Sequence, residues 1–219
     1  MPAAPNPAEV FDLNLRYARG LISGGHSLEN LLVGILDPAD LYRAAWTQSV
    51  SAFDHWLHEE IYSRTPRLVR QGPAARPRQL SEVTLPFDLV DRIQNADIEI
   101  GIAFSTHLRG RIGRVSFHQS RAISEAVQYV VEMKHGEIWS ELADRLNGTH
   151  QPARPWTVET AQAEHKRIID RRNEIAHMAD LDPDTNERRP MSSDDASAAV
   201  SWVADLRAAL TALMNANTA

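Results

Sequence analysis

The sequence contains no cysteine among its 219 residues. A chain without thiols cannot form a disulfide framework, a thiolate zinc site or a cysteine nucleophile, so these three kinds of site are excluded. No run approaches the roughly 20 consecutive apolar residues that a membrane helix needs. The first residues, MPAAPNPAEV, lack the basic and apolar segments of a secretion signal. We therefore expect a cytoplasmic protein that does not act at a membrane.

Basic residues are fewer than acidic residues. Lys and Arg number 23 against 29 Asp and Glu, which gives a formal net charge of −6. Sequence-independent binding along a nucleic acid needs many cations to neutralise phosphates, so this mode of binding is disfavoured. Local clusters of basic residues do occur, over residues 64–78, 109–114 and 166–172. The composition therefore leaves room for a small basic site on an acidic protein.

Apolar residues recur at three- and four-residue spacing through most of the chain, and 43% of the residues are hydrophobic. These features predict an all-α fold, a bundle of about six or seven helices around one core. We expect a disordered tail over residues 1–8 and a single helical domain over residues 9–219. Within its first part, Gly24-Gly25 is expected to separate two short helices.

Capping signals mark the ends of three longer helices. Asp37 followed by Pro38 is typical of a helix start, and a long apolar stripe follows it. A penultimate helix is expected from about Thr157 to Ala179. Ser192, with Asp195 three residues later, predicts the start of the final helix. The tryptophans are expected in the core at helix crossings, and they are Trp46, Trp56, Trp139, Trp156 and Trp202.

Between these helices the pattern is less regular. Four prolines and scattered arginines predict a surface loop over residues 64–86. Residues 87–108 have helical spacing in one part and strand-like alternation in another, and we favour helix. Two further helices are expected, from Phe117 to Lys134 and from Glu137 to Leu146, divided at Gly136.

The segment RRNEIAH, near the end of the penultimate helix, is the most informative part of the sequence. His165 and Arg172 interrupt an apolar seam along this helix, and a guanidinium there needs a partner because a buried unpaired charge is expensive. Arg171 lies about 100° away and is expected to face solvent. Asn173 and His177 are four residues apart, so the amide can orient the imidazole for acid-base chemistry.

Arg172 and His177 do not converge on one ideal helix, because they are about 140° apart around its axis. A second copy of the helix could complete the site. Alternatively, the helix could unwind before Pro183 and bring the two side chains together.

At these residues the chain resembles the HEPN family, whose signature is an arginine, usually followed by a polar residue, and then a histidine after four to six intervening positions. Arg172, Asn173 and His177 fit this signature with four intervening residues. Arg171 also fits, with five, but Arg172 is preferred because Asn173 follows it directly. The phrase RRNEIAHMADLDP and the order of helices resemble the RiboL-PSP-type branch. Met178 departs from the pattern, since many relatives are expected to have a glycine or an acidic residue there.

The resemblance implies a metal-independent endoribonuclease that acts as a homodimer and needs no cofactor. In such an enzyme His177 would be the general acid or base, Arg172 would bind the phosphate and the transition state, and Asn173 would be the orienting residue. Members of the family are often toxins or antiviral effectors, so an antitoxin or a defence-system partner is also implied. The residues expected to bind the RNA substrate are Lys166, Arg167 and Arg171.

Other interpretations of the same residues stay open. A non-catalytic HEPN module would bind a nucleotide or a partner protein. A purely structural dimerisation bundle would be favoured if Arg172 were held in an ion pair away from any cleft. His177 could also cap or pack a helix end. Finally, His55, His58 and Glu59 share a helix face and suggest a metal site, but they lack the HExxH arrangement.

Overall fold

The protein is described by a computed structural model over residues 6–31, 37–150 and 155–217, the side chains of residues 149 and 150 excepted. Within these ranges it is all-α as predicted, with nine α-helices instead of the expected six or seven, and without a β-strand. In chain order the elements are α1 (Pro7–Leu31), α2 (Pro38–Gln71), a 3₁₀ turn (Pro73–Ala75), α3 (Arg78–Ser81), α4 (Phe87–Gln94), α5 (Ile100–Ile112), α6 (Ser120–Val127), α7 (His135–His150), α8 (Val158–His177) and α9 (Ser193–Ala216).

The longest of these helices, α2, is the centre of the fold. Helices α1, α5, α8 and α9 all pack on it, and α7 packs on α8 and α9. Its predicted start is confirmed, since the Asp37 side chain accepts the N–H of Ala39 at 3.0 Å and Pro38 is the first helical residue. Its predicted apolar stripe is confirmed by the burial of Ala45, Trp46, Val50, Phe53, Leu57 and Ile61.

The surface loop predicted over residues 64–86 is wrong in its first part, because α2 continues through Pro66. A proline inside a helix has no N–H and leaves the carbonyl four residues earlier without its partner. Here Ser105 of α5 donates its hydroxyl to that carbonyl, on Tyr62, at 3.0 Å. Gly101 of α5 lies so close that a Cβ on it would stand 2.8 Å from the Pro66 Cα. The neighbouring helix therefore compensates for the proline.

The break predicted at Gly24-Gly25 is also wrong, because α1 runs through both residues. A Cβ on Gly25 would stand 2.3 Å from the ring of Tyr42, so the glycine permits a close contact between α1 and α2. The Tyr42 hydroxyl donates to Glu29 at 2.8 Å and strengthens that contact. The pair of glycines therefore marks a helix crossing and not a helix end.

Several other boundaries differ from the predictions. The first helix begins at Pro7, inside the expected tail over residues 1–8, and residues 1–5 lie outside the described ranges. The second of the two short helices predicted here extends into residues 32–36, which also lie outside them. The helix predicted from Phe117 to Lys134 is confined to α6, and Gly136 lies in the first turn of α7.

Residues 87–108, where we favour helix over strand, contain α4 and most of α5, with a turn between Gln94 and Ile100. The Glu99 carboxylate accepts the N–H groups of Gly101 and Ile102 at 2.9 and 3.0 Å, and so caps α5. The strand-like alternation comes from Ile98, Ile100 and Ile102, and these residues lie on both sides of the start of α5. No helix in the described part of the chain combines the length and the apolar character that crossing a membrane requires.

The core contains four of the five tryptophans, as predicted, and Trp156 is half-buried against Trp202. His165 of α8 is buried with them and is only 3% exposed. Its ring lies 6.0 Å from that of Phe53 and 6.3 Å from that of Trp139, and its Nε2 faces the carbonyl of Phe117 at 3.4 Å. Burial in these surroundings lowers the pKa of His165 from 6.5 to about 4.

We predict that the free energy of unfolding falls as the pH decreases from 6.5 to about 4, because only the unfolded chain binds a proton on His165 in that window. The contribution of this group to the loss is up to about 3 kcal/mol. His165→Gln, whose amide N–H can still reach the Phe117 carbonyl, should remove it. Urea unfolding of both proteins between about pH 7 and about pH 4.5 measures the difference. Equal losses in the two proteins would contradict the prediction.

Candidate functional site

The RRNEIAH segment lies in the last two turns of α8, which packs on α2 and α7. The helix begins at a capping box in which the side chains of Thr157 and Thr160 each accept the other residue's N–H, at 3.2 and 2.8 Å. The predicted seam is buried at Ala161, His165 and Ile168, and it is only half-buried at Arg172 and Ile175. The motif therefore lies where the helix leaves the core.

Arg172 lines a cleft of about 650 Å³ between α2, the end of α5 and the connection from α5 to α6. Its Nη1 donates to the side-chain oxygen of Asn173 at 3.1 Å. Its Nε is buried, and no residue in the described ranges accepts a hydrogen bond from it. Buried donors in proteins are nearly always paired. Nη2 donates to no described residue and is not buried, so the guanidinium has a donor left for a ligand.

The cleft has two polar walls. On α2, six side chains recur at three- and four-residue spacing and share one face. They are Ser51, Asp54, His55, His58, Glu59 and Tyr62. The facing wall comes from the end of α5 and from the connection that follows it, and it includes Arg109, Gly110, Gly113, Arg114, Ser116 and His118.

The charges in the cleft are partly compensated. Arg109 donates to both carboxylate oxygens of Glu59, at 2.5 and 2.9 Å, and this hydrogen-bonded pair lowers the pKa of Glu59. The same guanidinium lies 4.3 Å above the Tyr62 ring, and burial raises the pKa of Tyr62 to about 12, so the phenol stays protonated. Within the described residues, Arg114 and Arg172 form no ion pair. Three arginines thus face two carboxylates, and the cleft has an excess of positive charge.

His118 is the cleft residue that sequence reasoning missed. Its backbone is fixed through Phe117, whose N–H donates to Asp54 at 2.7 Å and whose carbonyl faces His165 at 3.4 Å. Burial lowers the pKa of His118, and the charge of Arg172 lowers it further, against an opposing effect of Asp54. Helical spacing offers no signal for this residue, because it lies just before α6 and not within it.

His177 is the last residue of α8 and is exposed. It does not line the cleft, but its charge also contributes to the lowered pKa of His118, so it lies within electrostatic range of that ring. Arg172 acts on the same ring. The structure therefore brings Arg172 and His118 into one cleft, with His177 nearby.

Asn173 contacts the motif arginine and not the motif histidine. Its side-chain oxygen accepts from Arg172, and no hydrogen bond between described residues joins it to His177. The predicted face-sharing of Asn173 and His177 thus leads to no direct bond. The amide instead orients the guanidinium.

Arg171 does not face solvent, so that expectation is wrong. Its guanidinium lies 3.0 Å from a carboxylate oxygen of Asp180 and donates to the carbonyl of Pro190 at 3.0 Å. Arg167 pairs with Glu164 and lies over the ring of Trp46. Lys166 pairs with Asp170 at the surface. The RNA-binding role of these three basic residues stays a prediction, and none of them lines the cleft of Arg172.

The residues suggested as metal ligands are engaged in other contacts. Both ring nitrogens of His58 face backbone carbonyls, those of Asp54 at 2.8 Å and Ile112 at 3.0 Å, and Glu59 is paired with Arg109. In the part of the chain that the structure describes, no group of three or more His, Asp or Glu side chains is placed to hold a metal ion.

Comparison with known proteins adds no relative. No protein-family model matches the sequence, and neither a curated protein nor a solved structure matches it. The interpretation of the site therefore depends on its residues and their geometry.

The end of α8 is fixed by a buried carboxylate. Ala179 and Asp180 adopt positive φ angles of 52° and 59°, which turn the chain back directly after the helix. Asp180 is 0% exposed and accepts from Arg43 Nε at 2.6 Å and from Arg171 Nη2 at 3.0 Å. This ion cluster of Arg43, Arg171 and Asp180 holds the residues around His177 against α2.

We predict that Asp180→Ala lowers the free energy of unfolding by about 3 kcal/mol, because two largely buried guanidinium groups would lose their buried carboxylate, although Arg43 keeps its ion pair with Asp40 at 3.1 Å. Asp170→Ala is the matched control, since Asp170 forms an exposed ion pair with Lys166. An exposed pair is worth at most about 1 kcal/mol. Urea unfolding of both variants measures the difference, and losses of the same size would show that the buried cluster does not hold α8.

Proposed function

We propose that the protein is a metal-independent endoribonuclease that cleaves RNA in the cleft of Arg172. The observation that carries this proposal is the placement of Arg172. Its guanidinium has no acidic partner among the described residues and opens into a cleft where arginines outnumber carboxylates. This placement also argues against the purely structural interpretation, in which Arg172 would be held in an ion pair away from any cleft.

The reaction would use the substrate's own 2′-hydroxyl. Its oxygen attacks the adjacent phosphorus and gives its proton to a base, while the bond from phosphorus to the 5′-oxygen breaks. The departing 5′-oxygen takes a proton from an acid. The products are a 2′,3′-cyclic phosphate and a free 5′-hydroxyl, so no further reactant is consumed. DNA lacks the 2′-hydroxyl and would not be cleaved.

The motif residues suit these steps. A guanidinium can bind a phosphate bidentately and stabilise the charge that develops in the transition state, which is the role proposed for Arg172. Asn173 would orient that guanidinium through the hydrogen bond at 3.1 Å. An imidazole can transfer protons near neutral pH, which is the role proposed for His177.

We further propose that the active form is a homodimer in which two copies of α8 approach each other. His177 and Met178 are both exposed, and Met178 is 54% exposed, so this end of the helix presents polar and apolar surface that a second copy would cover. In a cell the activity would arrest growth, as that of a toxin or an antiviral effector, and an antitoxin or a defence-system partner would restrain it.

The test is RNA cleavage by the purified chain in the presence of a chelator. We expect products ending in cyclic phosphate, and a loss of about 10²–10⁴-fold in rate for His177→Ala and for Arg172→Ala. His107→Ala and Arg121→Ala are the matched controls, because neither residue lines the cleft or belongs to the RRNEIAH segment. Both controls should cleave at the normal rate.

Unchanged cleavage by His177→Ala would refute the assignment. RNA that is bound but not cleaved by the unmodified protein would instead indicate the alternative, a non-catalytic binding module. Expression of the same variants in cells provides a second measurement, since growth arrest should depend on Arg172 and His177 and not on His107.

A further inference from the structure

We propose that His118 and Arg172 of the same protomer bind one phosphate group, and that His118 is the second proton-transferring residue of the reaction. The catalytic half of this proposal rests on the proposed ribonuclease function. The phosphate-binding half stands without it, because it concerns only the occupancy of the cleft.

The geometry is that of two side chains on different walls of one cleft. Arg172 enters it from α8, and His118 enters it from the connection between α5 and α6. The backbone before His118 is held on both sides, through the Phe117 N–H to Asp54 at 2.7 Å and the Phe117 carbonyl to His165 at 3.4 Å. Phe117 itself is 2% exposed. The imidazole is therefore presented from a fixed point, as a binding residue requires.

A bound phosphate would supply the hydrogen-bond acceptors and the negative charge that the cleft lacks. The Nη2 of Arg172 donates to no described residue and is not among the buried donors, so a phosphate oxygen in the cleft would provide its acceptor. The ionisable groups that act on His118 are Asp54 from α2 and His165, Arg172 and His177 from α8, and Arg109, Arg114 and Glu59 share the cleft. Of the two acids, Glu59 is paired with Arg109 and Asp54 already accepts the Phe117 N–H. An anion is thus the ligand that this set of charges favours.

The second imidazole would complete the proton transfers within one protomer. Burial lowers the pKa of His118, so its ring is mostly neutral near pH 7 and can accept the proton of the 2′-hydroxyl. His177 in its protonated form would then donate to the departing 5′-oxygen. Each proton taken up is matched by one released, and the two rings end with their protonation states exchanged. The angular separation of Arg172 and His177 on α8 would then require no second helix for the chemistry itself.

The first experiment is a titration of the histidine side chains of the full chain by NMR, with and without inorganic phosphate or uridine 3′-monophosphate. We expect the pKa of His118 to rise when either anion binds, because a nearby negative charge favours the imidazolium. His107, which lies on α5 and lines a different depression, is the internal control and should not change. Arg172→Gln should weaken phosphate binding at least about tenfold. A His118 titration curve that saturating phosphate leaves unchanged would overturn the proposal.

The second experiment concerns catalysis. His118→Gln should lower the rate of RNA cleavage by about 10²–10⁴-fold and remove the limb of the pH profile that reports the base, whereas His107→Gln should leave both unchanged. A normal pH profile in His118→Gln would overturn the catalytic role. If the unmodified chain cleaves no RNA, the proposed function fails, and the NMR titration still decides whether His118 and Arg172 share a phosphate.

Discussion

The placement of the motif residues depends on one buried carboxylate. Asp180 lies between the guanidinium groups of Arg43 and Arg171, and Arg43 also donates to the carbonyl of Arg189 at 2.7 Å. Burying these charges costs free energy, which their pairing with one another offsets. The turn after α8 therefore has one favourable position against α2. His177 lies three residues before Asp180, so the turn also helps to fix its position. The connection from α8 to α9 is tied to α2 a second time, by the hydrogen bond from Arg43 to the Arg189 carbonyl.

Adjacent arginines consequently have opposite roles. Arg171 points back toward the turn and neutralises Asp180, while Arg172 points past the end of the core into the cleft. The helical spacing alone gives the angle between them but not which side of the helix the following turn will cover. The spacing therefore predicts the half-buried position of Arg172, whereas the solvent-facing position that it predicts for Arg171 is wrong. The carboxylate that binds Arg171 belongs to Asp180, which lies outside the helix.

The difference between local signals and long-range contacts also explains which parts of the fold could be predicted from the sequence. Long amphipathic helices and their caps, such as Asp37 and Ser192, are local properties, and the structure confirms them. Breaks were predicted wrongly where a neighbouring helix compensates, as Tyr42 does by packing on Gly25. His118 was missed because its position follows from the bond between Asp54 and Phe117, residues 63 apart in sequence. Such long-range contacts leave no periodic trace in the sequence.

A proline in the middle of a long helix commonly serves as a hinge. At Pro66 that freedom is removed, because Ser105 occupies the released carbonyl and Gly101 lies against the proline backbone. These two contacts fix α5 against α2, and both helices contribute residues to the walls of the cleft. The connection that completes the second wall is tied to α2 as well, through the Phe117 N–H and Asp54, so the cleft selects its occupant by fixed dimensions.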